Sequence, residues 1–154
     1  MKKLFPVLLV MFIGVAAFLT SCEEETPTAD PLPTATIEGV VYANIDLTNA
    51  VNEKAPAGTK IFFRINANEL VLNPLPGYTY ETLQYETTVN SEGKYTIELP
   101  CATHQNVNVA VTPNDFSAVR QINATTTDTH YFDGGVLNQT IRNGEKHYLD
   151  IMYF

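Results

Sequence analysis

Cys101 and His104 stand three positions apart after an alternating run, close enough in sequence for a thiol and an imidazole to act as nucleophile and base. No Gly-x-Ser-x-Gly elbow accompanies them, and zinc at that pair would need ligands that no spacing supplies. A small cysteine buried or half-buried at a strand end is the plainer expectation. Asp128, His130 and Asp133 gather oxygen and nitrogen ligands in the Thr-rich stretch 125–135. Calcium takes roughly six to eight oxygens, which two aspartates fall short of, and solvated loop residues account for the set as well. No metal and no cofactor is expected. A metal-dependent hydrolase is the remote alternative, and it would need His104, His130 or His147 to converge with carboxylates in a pocket.

Tyrosines offer a different chemistry. Tyr78 and Tyr80 follow Pro74-Leu75-Pro76-Gly77, where proline and glycine set up a projecting loop, and tyrosine supplies broad amphipathic contact area at low entropic cost. With Tyr131 they are the candidate ligand contacts. A glycan is the ligand class to test first, although the chain has no Trp, the strongest stacking residue. The competing expectation is that residues 74–80 fold back and their tyrosines cap one end of the domain.

The elements that must carry these residues begin with a leader. Lys2 and Lys3 precede an apolar run from Leu4 to Phe18, which ends in Leu19-Thr20-Ser21-Cys22 and is followed at once by Glu23-Glu24-Glu25. That layout is a cleaved signal peptide over residues 1–21, because a spanning helix needs roughly twenty apolar residues. Leu-Thr-Ser-Cys resembles the lipobox of bacterial lipoproteins, and the resemblance implies that Cys22 is diacylated on sulfur and becomes the first residue of the mature chain. Two or three acyl chains would hold the protein on a membrane. The acidic triplet resembles the export signal of Bacteroidetes lipoproteins, which implies the outer face of the outer membrane. Residues 22–34, acidic and proline-rich, read as a tether reaching on the order of 35–40 Å when extended.

Removing residues 1–21 takes two of nine basic residues and none of seventeen acidic ones, which leaves seven against seventeen and a net charge of −10. The remaining Lys and Arg are scattered, so nucleic acid is excluded as a partner. A glycan or a protein at the cell surface fits better. With Cys22 committed to lipid, Cys101 is the only other cysteine, so packing rather than a disulfide must stabilise residues 35–154.

Period-two alternation dominates that region: Ile61, Phe63 and Ile65 against Lys60, Arg64 and Asn66; Tyr95, Ile97 and Leu99 against Lys94, Thr96 and Glu98; Val107, Val109 and Val111 against Asn106 and Asn108. One wet face per strand predicts an all-β, antiparallel two-sheet sandwich of seven to eight strands. Strands are expected at 35–43, 59–66, 82–89, 94–100, 106–112, 118–123, 136–142 and 146–153. Asn90-Ser91-Glu92-Gly93 and Asn143-Gly144 supply turns, the latter predicting a tight hairpin with both central φ positive. The run His147 to Phe154 predicts an interior strand with Leu149 and Ile151 facing the core. An edge position would instead leave it free to accept a partner strand.

Ile37-Glu38-Gly39-Val40-Val41, Ala55-Pro56-Ala57-Gly58-Thr59-Lys60-Ile61 and Val89-Asn90-Ser91-Glu92-Gly93-Lys94-Tyr95-Thr96-Ile97-Glu98-Leu99-Pro100 together resemble the carboxypeptidase-regulatory-like domain. That is a transthyretin-like (prealbumin-like) sandwich common on Bacteroidetes surfaces. The resemblance spans about residues 36–112, and residues 67–81 and 113–154 depart from it. It implies a structural or binding role without catalytic residues. The expectation is a non-enzymatic accessory module on the cell envelope, with a glycan-binding lipoprotein of an outer-membrane polysaccharide uptake system as the alternative.

Overall fold

The computed structural model describes residues 30–154, of which Leu32–Phe154 form one compact unit. The signal peptide, Cys22 and most of the tether lie outside the described residues. The unit is all-β, as the alternation requires. Its strands are β1 (Thr34–Ala43), β2 (Glu53–Lys54), β3 (Lys60–Asn66), β4 (Thr82–Thr88), β5 (Lys94–Pro100), β6 (Val107–Pro113), β7 (Phe116–Asn123), β8 (Thr126–Phe132), β9 (Leu137–Ile141), β10 (Lys146–Tyr148) and β11 (Ile151–Tyr153).

One sheet is built around β1, with β5 and β2 antiparallel on one side and β10 and β11 parallel on the other. The second runs β4-β3-β6-β9, antiparallel throughout. Ala35, Ile37, Val41, Leu99, Ile151 and Tyr153 of the first sheet and Ile61, Phe63, Ile65, Val107, Val109, Val111 and Ile141 of the second are buried in one core. No polar or charged residue among those described is buried, so apolar packing carries the fold. β7 and β8 form a separate two-stranded ribbon. Phe116 and Phe132 stack at its base with centroids 5.0 Å apart, and Phe116 meets Tyr153 edge-on at 4.8 Å, which fastens the ribbon to the core.

Several expectations change here. Residues 126–132, read as part of a loop, are strand β8. Neither expected turn closes a hairpin within one sheet. Asn90–Gly93 carries the chain from β4 in one sheet to β5 in the other, closed by the Gly93 N–H donating to the Asn90 carbonyl at 3.0 Å. Arg142–Glu145 likewise crosses from β9 to β10, and Gly144 alone of its central pair has positive φ (72°). Asn143 stays at negative φ because strands that pair with different neighbours do not need the twist of a two-residue hairpin. The final run faces Ile151 and Leu149 inward as expected, yet it is not interior to its sheet: β10 and β11 pair with β1 alone among the described strands.

β10 and β11 share one register, Glu38 opposite Tyr148 and Val41 opposite Ile151, and are parted by Leu149-Asp150. At the break, the Leu149 carbonyl accepts a hydrogen bond from the Tyr95 hydroxyl at 2.6 Å. The Val40 N–H donates to Asp150 Oδ1 at 2.8 Å instead of to a backbone carbonyl. Gly39 makes this possible: a Cβ there would sit 2.0 Å from the Leu149 oxygen.

Candidate functional site

Cys101 and His104 do not form a pair. Cys101 is fully buried in the core, with Sγ 3.9 Å from the Leu99 carbonyl, whereas His104 is exposed in the turn beyond β5. Burial raises the Cys101 thiol above its ordinary pKa and keeps it protonated. Asp128, His130 and Asp133 are drawn into separate contacts. Arg120 donates to both Asp128 oxygens, at 3.3 and 2.9 Å, and the hydrogen bond with Arg120 holds the Asp128 carboxyl below its usual range. The His130 ring stands edge-on to Phe132 with centroids 4.7 Å apart, and Asp133 accepts from the Gly135 N–H. No group of three or more His, Cys, Asp or Glu among the described residues could hold a metal ion. The His147 Nε2 accepts from the Arg142 N–H at 3.2 Å.

The three candidate tyrosines fall into two places. Residues 67–81 leave β3 through a short 3-10 turn, Ala67–Leu70, capped by the Asn66 side chain, and the Ala67 N–H donates to the Glu81 carbonyl to close the base. Glu69 Oε2 accepts from the Asn108 N–H at 2.6 Å and ties the excursion to β6. Beyond it Tyr78 is 64% exposed, set edge-on to Tyr80 at 4.8 Å, while the Tyr80 hydroxyl accepts from the Leu75 N–H. Tyr131, 61% exposed on β8, donates its hydroxyl to Asp115 Oδ2 at 2.5 Å. Asp115 follows Asn114, which bonds to Lys60 at the start of β3, whereas Tyr80 sits by Glu81 at its end. The two ends of a seven-residue strand lie roughly 20 Å apart, so Tyr131 does not share a site with Tyr78 and Tyr80.

Among the concavities of the described residues are two, the first beside Asp115, the partner of Tyr131. A shallow one of about 350 Å³ is lined by Phe62, Arg64, Thr112, Asp115 and Asp133 among others. A groove of about 590 Å³ opens at the break between β10 and β11, where Glu38, Val40, Lys94, Thr96, Tyr148 and Asp150 contribute to its walls. Tyr148, Glu38 and Thr96 lie side by side across three strands, and Tyr148 is 74% exposed. Sequence reasoning passed over this groove. Its signal was present in Lys146-His147-Tyr148-Leu149-Asp150-Ile151, since inward Leu149 and Ile151 require Tyr148 to face outward. The facing positions of β1 and β5 come only from the register.

No protein-family profile matches the chain, and no curated protein matches it. Several solved structures resemble it in part, among them the following three. A candidate carbohydrate-binding protein from Pseudomonas aeruginosa is 13% identical over 86% of this chain and 97% of its own, at a TM-score of 0.44. The shaft pilin SpaA of Lactobacillus rhamnosus GG is 11% identical over 78% of this chain at a TM-score of 0.45, and the match spans 49% of the pilin chain. The major plantain pollen allergen Pla l 1 is 16% identical over 78% of this chain and 94% of its own, at 0.38. Likenesses this distant say nothing of what the chain binds.

Proposed function

We propose that the mature chain is a lipid-anchored cell-envelope protein, held at the outer membrane and facing outward, whose β-sandwich is a non-enzymatic binding or structural accessory module. The observation that carries this reading is the order of Lys2-Lys3, the apolar run 4–18 and Leu19-Thr20-Ser21-Cys22, followed twelve residues after Cys22 by Thr34, where β1 begins. The leader is the export signal, the acylated Cys22 sulfur the anchor, and the segment between them and β1 a tether that holds the domain off the headgroups. Within this reading the sandwich is of the transthyretin-like, carboxypeptidase-regulatory-like kind found in Bacteroidetes surface proteins. A buried Cys101 and three histidines in separate settings support a role without covalent or metal chemistry. Metabolic palmitate labelling tests the anchor. Cys22→Ala is expected to lose both label and membrane retention, and a variant that still carries label would remove the anchor from the reading. Protease added to intact cells, with loss of the domain expected, tests the outward face.

A second reading, glycan binding for an outer-membrane uptake system, is favoured by exposed aromatic rings that are already braced. Tyr131 is held by Asp115 and Tyr78 by Tyr80. Ordered rings need less entropy loss on binding than free ones. Glycan-array binding by the wild type, lost in Tyr78→Ala, Tyr80→Ala or Tyr131→Ala, is the expected result, and unchanged binding in all three excludes those residues from the contact.

A further inference from the structure

The interruption of the last strand is an unusual use of sequence. Strand pairing in one continuous register is interrupted for two residues, a glycine is placed to admit the Leu149 carbonyl, and a tyrosine hydroxyl and an aspartate are spent on satisfying the displaced backbone groups. No residue is inserted, since pairing resumes in the same register, and the break turns the Asp150 side chain onto the backbone of β1. Here the break coincides with the groove of about 590 Å³ that Tyr148 and Asp150 line. Tyr148 is an exposed aromatic at the end of β10, and its neighbours His147 and Leu149 are half-buried.

Charge narrows the ligand class. Glu38 pairs with Lys146 at 3.0 Å and Lys94 with Glu92 at 2.8 Å, so in a strongly acidic chain the groove is nearly balanced, with Asp150 as its one excess charge. Asp150 uses Oδ1 on the Val40 N–H, which leaves Oδ2 without a partner among the described residues. A polyanion would meet two carboxylates, and a polycation would compete with two lysines already in place. An uncharged polyol meets neither difficulty. It can lay an apolar face on the Tyr148 ring while its hydroxyls bond the carboxylates and Thr96.

We propose that the groove at the break between β10 and β11 binds a neutral oligosaccharide, with the Tyr148 ring as platform and Glu38, Thr96 and Asp150 as hydroxyl partners. The proposal rests on the glycan reading and adds to Tyr78, Tyr80 and Tyr131 a further contact at the groove. The test is affinity electrophoresis of the full acylated chain in detergent through gels containing xyloglucan, galactomannan, mixed-linkage β-glucan or starch, with polygalacturonate as the anionic control. The expected result is retardation by at least one neutral polymer, weakened about tenfold or more by Tyr148→Ala and kept within about twofold by Tyr148→Phe. Asp150→Asn, whose amide oxygen can still accept from Val40, is expected to weaken it as well. Tyr148 is exposed and its removal leaves the core intact, which a circular dichroism melt of each variant verifies. Retardation unchanged by Tyr148→Ala overturns the groove and leaves the glycan reading standing. Retardation by polygalacturonate alone overturns the neutral class, and no retardation by any polymer overturns both.

Discussion

Cys101 and Asp115 show how placement decides what a reactive side chain can do. Both belong to types that do chemistry in other proteins, and both are used here to hold structure. The Cys101 thiol lies in the core with its pKa raised by burial, so thiolate is scarce near neutral pH and reagents cannot reach it. With Cys22 acylated, iodoacetamide is expected to leave the native protein unlabelled and to modify a single thiol once denaturant unfolds it. Fast labelling of the native chain would place Cys101 outside the core. Asp115 accepts from the Tyr131 hydroxyl and from the Gly134 N–H, and these bonds, the first foremost, hold its carboxyl below the usual range. The same bond raises Tyr131 above its ordinary value. A depressed carboxylate stabilises the folded state above its unfolded pKa, and that contribution is lost as pH falls through the lower folded value. An NMR titration should find the Asp115 midpoint under the ordinary aspartate value of about 3.9. Tyr131→Phe should move it back up, and no movement would mean that the hydroxyl bond does not form in solution.

Among the elements, β10 and β11 depend on Gly39 more than on any propensity of their own. A methyl at Gly39 would meet the backbone oxygen of Leu149 at 2.0 Å, and backbone cannot step aside as a flexible side chain can. Gly39→Ala is expected to cost at least about 3 kcal/mol in urea unfolding, at the upper end of overpacking. Gly58→Ala provides the contrast, since nothing lies within 4 Å of its Cβ position and only its φ of 88° is strained, at about 1 kcal/mol. Equal losses in the two variants would mean that the close approach is absent. Period-two alternation made most strands legible, because each of β3, β5 and β6 buries one face and wets the other. It could not reveal β8, whose Thr126 to Tyr131 contain no apolar residue on the inward side before Phe132. Partners were less legible than strands. Asn90–Gly93 and Arg142–Glu145 have the composition of hairpin turns, and only the sheet register shows that each joins two sheets. The groove depends on those partners, since Tyr148, Glu38 and Thr96 are distant in sequence and adjacent only through pairing with β1.

At the scale of the whole molecule, β1 is the strand on which closure depends. Its pairing with the last strands joins residues 110 positions apart, as in the Val40 to Asp150 bond, so the chain must form its longest loop to complete the first sheet. The last four residues hold that closure. Ile151 and Tyr153 are buried, the Tyr153 hydroxyl donates to the Asn114 carbonyl at 2.7 Å, and its ring meets Phe116 at the base of the β7–β8 ribbon. Losing two such side chains costs roughly 5–10 kcal/mol by the usual large-to-small figures, comparable with the whole stability of an ordinary domain. A chain ending at Asp150 is therefore expected to show no cooperative thermal transition by circular dichroism. Tyr153→Phe, which keeps the ring and gives up only the hydroxyl bond, should melt cooperatively with a loss of about 1 kcal/mol. Were the shortened chain to melt as sharply as the full one, β11 would be an appendage to the sandwich, and the parallel pairing with β1 would not be what completes it.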